Sequence, residues 1–391
     1  MNMQWKRSAA GLLAAWTLAA ALPAVPAAAA EDFSAVVLSD GTVAVHCDNP
    51  ALTEAVVPET LNGYKVTALD EGCFAENTEL TQVTLPESLN AIGESAFYGC
   101  EKLTGITIPE SVTAIGTNAF SGCASLTEIC VPASVTQIGA YAFDNTESVT
   151  AFEVASENAV YTAQDGVLFD KDMSTLLKYP EARPDTAYQV PDSCTAIADW
   201  AFIGSQFLEK IDLNRVTSIG EDAFYYCVKL QSIDIPEGVT ELVGGAFCYC
   251  AELQSVTLPS TLKSIGENCF FSCTSLTEIE LPDGLEAIHP YAFFHCTSLS
   301  SLTVPDSIVT MTSCCMGYCY DETAQGTAVQ EDFTVFVTKA SPAYKYASSN
   351  DIAWKLYYPN ALYYILIGAA AAVILGLSIA IAVVLKKRKA S

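Results

Sequence analysis

The chain has 391 residues, 45 of them acidic against 18 basic, for a formal net charge of −27 and a hydrophobic share of 51%. Such an acidic balance argues against nucleic acid or an anionic lipid surface as partner, since both repel negative charge. The high apolar share is concentrated at the two ends, which have to be set apart before the fold is read.

Residues 1–30 read as a signal peptide. Lys6 and Arg7 make a positive start, residues 9–22 are apolar but too short to span a bilayer, and Ala28-Ala29-Ala30 puts small residues before Glu31. Pro23 and Pro26 interrupt the run, unlike a membrane helix. From there to residue 360 the chain carries all 45 acidic residues and 12 basic ones, a net of −33. No Asn-x-Ser/Thr acceptor occurs, which favours a bacterial secretory origin.

The body of the chain repeats itself. Phe74, Phe97, Phe120 and Phe143 are spaced by 23 residues, and Phe202, Phe224, Phe247, Phe270 and Phe293 by 22, 23, 23 and 23. Met316 keeps the register in a degenerate last copy. Five residues before each ring stands an aliphatic such as Ile92, Ile115 or Ile265, commonly followed by Gly. Six after it comes Leu or Val, then an alternating run such as Ile106-Thr107-Ile108, usually ended by Pro. Alternation marks a short strand with one buried face, and the proline stops it because it has no N–H to donate. One copy cannot bury its own Leu, Ile and Phe, whereas stacked copies can, so the pattern predicts an α/β-type solenoid of about ten 23-residue repeats over 31–326. The Ile-Gly-x-x-Ala-Phe stretch is expected to turn the chain and return the ring to the core. Leu213 in place of Pro, and Val243 and His289 in place of Gly, loosen single copies.

Segments such as residues 103–123, with Leu103, Ile115-Gly116, Ala119-Phe120 and Cys123, closely resemble the BspA-like (type 5) leucine-rich repeat. The resemblance spans nearly all of 31–360 and recurs in register. Residues 152–191, with Asp165-Gly166 between apolar alternations, look like that family's longer, hairpin-bearing copy. Residues 327–360 look like its closing element of strand, short helix over 343–350, and strand, covering the last open edge. The resemblance implies a non-catalytic cell-surface protein engaged in adhesion to an extracellular protein or another cell.

Fifteen cysteines in a secreted chain suggest disulfides first. Their register suggests otherwise: Cys100, Cys123, Cys227, Cys250, Cys273, Cys296 and Cys319 each stand three residues after the ring position, so they form a column of small core residues. A packed thiol column is the expectation, with disulfides between neighbours as the alternative. His295, Cys296, Cys314, Cys315 and Cys319 resemble a metal cluster on paper, but the register accounts for two of them and no C-x-x-C pair is present. Of the three histidines, His46, His289 and His295, none has a nucleophile partner in a known motif, and there is no glycine-rich phosphate loop. The sequence therefore predicts no enzyme, cofactor or metal site.

A ligand is expected on the strand face that does not pack on the core. Its candidate residues are Thr107, Glu128, Glu153, Lys210, Asp212, Asp234, Thr257, Glu278 and Glu280, a hydroxyl-rich and acidic set nearly free of aromatics. Residues 361–385 follow without a charge, long enough for a membrane helix, with Trp354, Tyr357, Tyr358, Tyr363 and Tyr364 on one side and the basic tail 386–391 on the other. That pattern predicts a single-pass protein with its N-terminal part outside the cell. Gly368, Ala372, Gly376 and Ala380 form a small-residue ridge through which two such helices could pair as a homodimer. Besides adhesion, two other roles fit: a structural envelope protein that associates with itself, and a ligand-capture subunit for a membrane partner.

Overall fold

The computed structural model describes residues 30–321, 326–338 and 341–357. The segment 1–29, the apolar segment 361–385 expected to cross a membrane, with its small-residue positions (Gly368, Ala372, Gly376, Ala380), and the tail 386–391 lie outside the described residues. No helix among the described residues is long and apolar enough to cross a membrane.

The repeats stack into ladders of short parallel strands, and two strands come from each copy rather than one. The first is the alternating run: Gln82–Thr84 pairs with Gly105–Ile106, and Lys210–Asp212, Ser232–Asp234, Ser255–Thr257 and Glu278–Ile279 follow one another in register. The second is the Ala-Ile pair before the glycine: Ala91–Ile92, Ala114–Ile115 and Gln137–Ile138 form their own parallel ladder. The stretch read as a simple turn thus begins as a strand. Its glycine is needed for close approach, since a Cβ on Gly116 would lie 2.5 Å from the Glu94 backbone nitrogen. Where Val243 replaces this glycine no rung joins Ser218–Ile219 to Glu241–Leu242, although His289 keeps its bond to the Ile265 carbonyl at 3.0 Å.

The α/β expectation is accordingly corrected. Among the described residues the repeats hold strands and turns, and the α-helix Pro342–Ser349 belongs to the closing element. Two short strands and a turn complete a 23-residue circuit, which leaves no length for a helix. The helix itself starts where Ser341 accepts from Tyr344 N–H and Pro342 fills the first turn. It lies between the parallel strands Thr334–Val337 and Ala353–Leu356. At the other end an antiparallel pair, Phe33–Val37 with Val43–Cys47, covers the first copy. Asp165 and Gly166 both take positive φ (52° and 79°), the geometry of a two-residue hairpin turn between Tyr161–Gln164 and Val167–Asp170.

On the third side of each circuit no strand forms, yet the copies are still bonded. The ring residue's N–H donates to the carbonyl of the small residue before the next ring: Phe97 to Ala119, Phe120 to Ala142, Phe224 to Ala246, Phe270 to Ala292, all at 2.8–2.9 Å. Inside, the rings stack nearly face to face, with centroids 5.2–5.3 Å apart at Phe74–Phe97–Phe120 and 4.8–5.5 Å apart along Phe202–Phe224–Phe247–Phe270.

The cysteine column is present and all fifteen thiols are unpaired. Each column thiol donates to the carbonyl of the ring residue one copy back, as Cys100 does to Phe74 (3.1 Å) and Cys273 to Phe247 (3.2 Å). The slot therefore needs a small donor, and Asn77, Thr146 and Ser205, which replace Cys, also donate to nearby carbonyls. Cys319 departs from the column, because its copy has become the hairpin Tyr318–Asp321 with Gly326–Val329. Burial pushes the thiols of Cys100, Cys248 and Cys296 up to about 12, which suppresses the reactive thiolate. We expect only the half-buried Cys130, Cys314 and Cys319 to react with an aromatic disulfide reagent before unfolding. Rapid labelling of Cys250 or Cys273 in the native protein would contradict this packing.

Candidate functional site

All nine strand-face residues point away from the core and are exposed. Lys210, Ser232, Ser255 and Glu278 form one cross-strand column, and Asp234 stands opposite Thr257. Asp212 accepts from Gln189 Nε2 at 2.9 Å, and Glu280 lies one residue past the strand Glu278–Ile279. Thr107 follows Gly105–Ile106, which ladders with Gln82–Thr84, whereas Glu128 and Glu153 stand on the separate pair Glu128–Val131 and Ala151–Val154, and Ala187–Gln189 heads a third ladder beyond the long copy. Cys130 stands opposite Glu153 and donates to it at 3.7 Å. The face is a polar acidic strip in three parts, not one continuous ladder.

A second surface went unread in the sequence. On the turn side, aromatic side chains one or two residues after the motif ring, or two before it, touch from copy to copy. Tyr141 meets Trp200 (5.7 Å between centroids), Trp200 meets Tyr225 (5.6 Å), Tyr225 meets Tyr249 (5.6 Å), Tyr249 meets Phe271 (5.4 Å) and Phe271 stacks on Phe294 (5.1 Å). Tyr226, against Tyr249 and 54% exposed, stands outermost. Tyr141, Tyr226 and Tyr249 are exposed, Trp200, Tyr225 and Phe271 half-buried and Phe294 buried. Isolated exposed rings are ordinary, but a connected band of partly exposed ones suits a contact surface. The available signal was a second aromatic beside the ring in successive copies, as in Phe224-Tyr225-Tyr226 and Phe270-Phe271.

Carboxylates flank this band. Asp222 lies over Gly245, where the backbone takes a φ of +63° and an added Cβ would come within 1.8 Å of Oδ1 and push the carboxylate aside. Partial burial, with Glu221 and Asp199 adding like charge, pushes the Asp222 carboxyl up to about 6. The combination of ring faces and carboxylates suits a cationic group, which gains from both. Elsewhere, His295 Nδ1 accepts from the Tyr320 N–H at 3.3 Å and so helps hold the last hairpin. Among the described residues no three His, Cys, Asp or Glu side chains converge as metal ligands.

Two-strand circuits stacked in register, with ring, thiol and hydroxyl ladders, define a leucine-rich-repeat solenoid. The profile of the BspA type leucine rich repeat region matches six copies over residues 48–166 and 195–323, and the chain belongs to that family. Among solved structures it is similar to a leucine-rich repeat protein from Eubacterium ventriosum, at 22% identity and TM-score 0.58 over 74% of this chain and 91% of that one. It is likewise similar to the pneumococcal vaccine antigen PcpA, at 21% identity and TM-score 0.58 over 83% of this chain and 82% of that one. At such identities the likeness concerns the fold. No curated protein matches.

Proposed function

We propose that this protein is a bacterial cell-surface adhesin that binds basic patches on extracellular proteins or on other cells. The observation that carries the reading is the aromatic band of Trp200, Tyr225, Tyr226 and Tyr249 set beside Asp199, Glu221 and Asp222. Tyrosine and tryptophan are the anchors that interfaces favour, and the net charge of −33 over 31–360 steers a cationic partner toward them. The acidic strand face around Asp234, Glu278 and Glu280 adds a weaker second contact. Many copies on one cell would multiply modest affinities. The signal peptide and the apolar segment 361–385 support export and anchoring with the repeats outside, and the ridge at Gly368 and Gly376 supports pairing in the membrane.

The test uses the full chain in detergent micelles against an array of matrix proteins and whole bacterial cells. Tyr226→Ala with Tyr249→Ala should weaken binding to basic proteins about tenfold or more, and Asp234→Lys with Glu278→Lys and Glu280→Lys by less. Binding should also strengthen from pH 5 to pH 7, because Asp222 gains its charge through about 6. Association with itself alone would favour the structural envelope role instead.

A further inference from the structure

The stack is interrupted once, at the long copy, and the interruption leaves a cleft. Tyr179 is the ring of that copy: it stands 23 residues before Phe202, its N–H donates to the Ala201 carbonyl at 2.8 Å, and its ring stacks on Phe202. Leu176 pairs with Ile197, so it holds the aliphatic place. A regular copy has four residues between aliphatic and ring; here there are two, Leu177 and Lys178. The copy is two residues short at the point where its neighbours carry Gly-x-x-Ala.

The missing residues have a visible consequence on the preceding copy. Elsewhere the N–H two before the ring, the ring's own N–H and the N–H two after it all donate to the next copy, as Asn118, Phe120 and Gly122 do to Ala140, Ala142 and Asp144. Tyr141, Phe143 and Asn145 occupy the same three places and have no such acceptor. Ile138 N–H turns instead to the Tyr161 hydroxyl at 3.0 Å. Between this unfinished edge and the long copy lies a half-open cleft of about 280 Å³, walled by Ile138, Ala140, Leu168 and Leu177, with Asp144 and Lys178 at its polar end.

We infer that this cleft binds a short extended peptide with small side chains, which supplies the missing rung. Its carbonyls would accept from Tyr141 and Phe143 N–H, as a neighbouring copy's do, and its small side chains would fill the apolar walls. An anion is the less suitable acceptor. Lys178 is already held by Asp144 at 2.7 Å and Glu181 at 3.4 Å, and Asp199 lines the same cleft. The cleft shares Tyr141 and Asp199 with the aromatic site, but the inference stands on the unpaired N–H groups of Tyr141 and Phe143 and not on the adhesin reading.

The probe is acetyl-Gly-Thr-Asn-Ala-amide, the sequence of residues 116–119 that fills this place in a regular copy. It is titrated into the full chain in detergent micelles while backbone amide exchange is followed by residue. We expect saturable binding and exchange at Phe143 slowed about tenfold. A second protein, with Gly-Thr inserted between Leu177 and Lys178 to complete the rung, should fold, show the same protection without peptide, and no longer bind the probe. Unchanged exchange at Tyr141 and Phe143 with saturating peptide would overturn the inference. So would equal binding by the insertion variant, or protection by phosphate or acetate in place of the peptide.

Discussion

Replacing Lys178 with Met should destabilise the protein by about 3–5 kcal/mol, measured by chemical denaturation at pH 7. Lys178 fills the place before the ring that is Ala or Cys in the regular copies, and it is buried there with Asp144 and Glu181. Removing the ammonium leaves two carboxylates facing each other without a counter-charge, which is far costlier than the pair is beneficial. Glu181 already shows the stress. Burial raises its carboxyl above the usual range despite Lys178, and its Oε1 has no hydrogen-bond partner. A carboxyl with a raised folded-state pKa takes up protons on folding, so its contribution is favourable at low pH and is lost as pH rises through that value. The Lys178→Met deficit should therefore shrink on acidification, as Glu181 protonates. A deficit independent of pH, or below about 1 kcal/mol, would show that the charges are not buried together.

Phe247→Ala should cost about 3–5 kcal/mol, the range for truncating a fully buried aromatic. Its ring is inaccessible and stacked on both sides, 5.2 Å from Phe224 and 5.5 Å from Phe270, so the cavity is bounded by two flat rings that cannot collapse into it. In a solenoid each copy relies on its neighbours, and the loss should also uncouple the copies after 247 from those before it. Two separate unfolding transitions in a denaturant titration are the expected signature. A single cooperative transition with an unchanged midpoint would place the stability elsewhere. Cys250→Ser is the control, because a hydroxyl keeps the donor to the Phe224 carbonyl.

How much of this could be read from the sequence depends on the period. The ring, the aliphatic, the column thiol and the alternating run recur every 23 residues, and their places in the stack follow directly. The Asp165-Gly166 hairpin is equally legible, since both residues tolerate the positive φ that the turn requires. The second strand of each copy was not, because two residues of Ala-Ile before a glycine carry no alternation to detect. Tyr179 keeps the spacing to Phe202 but breaks the Phe pattern, and the hairpin insertion hides its register with Phe143. Its neighbour Lys178 pairs with Asp144 across 34 residues, a separation no repeat would suggest. The outward strand residues follow from period-two alternation. The aromatic band lies at turn positions where several residue types are tolerated, so only contacts in space reveal it.

The ring stack also has two finished ends. At one, Phe33 turns edge-on to Phe74, with its plane at 82°. At the other, where Met316 takes the place of the ring, the Tyr346 hydroxyl donates to its carbonyl at 3.1 Å and stands 3.4 Å from its N–H, in the position a further copy would fill. A tower of identical storeys would otherwise offer each end as a template for the next molecule, and molecules would thread into fibres. Roofed above and below, the stack closes on itself, and its length is set by the number of copies rather than by how many molecules meet.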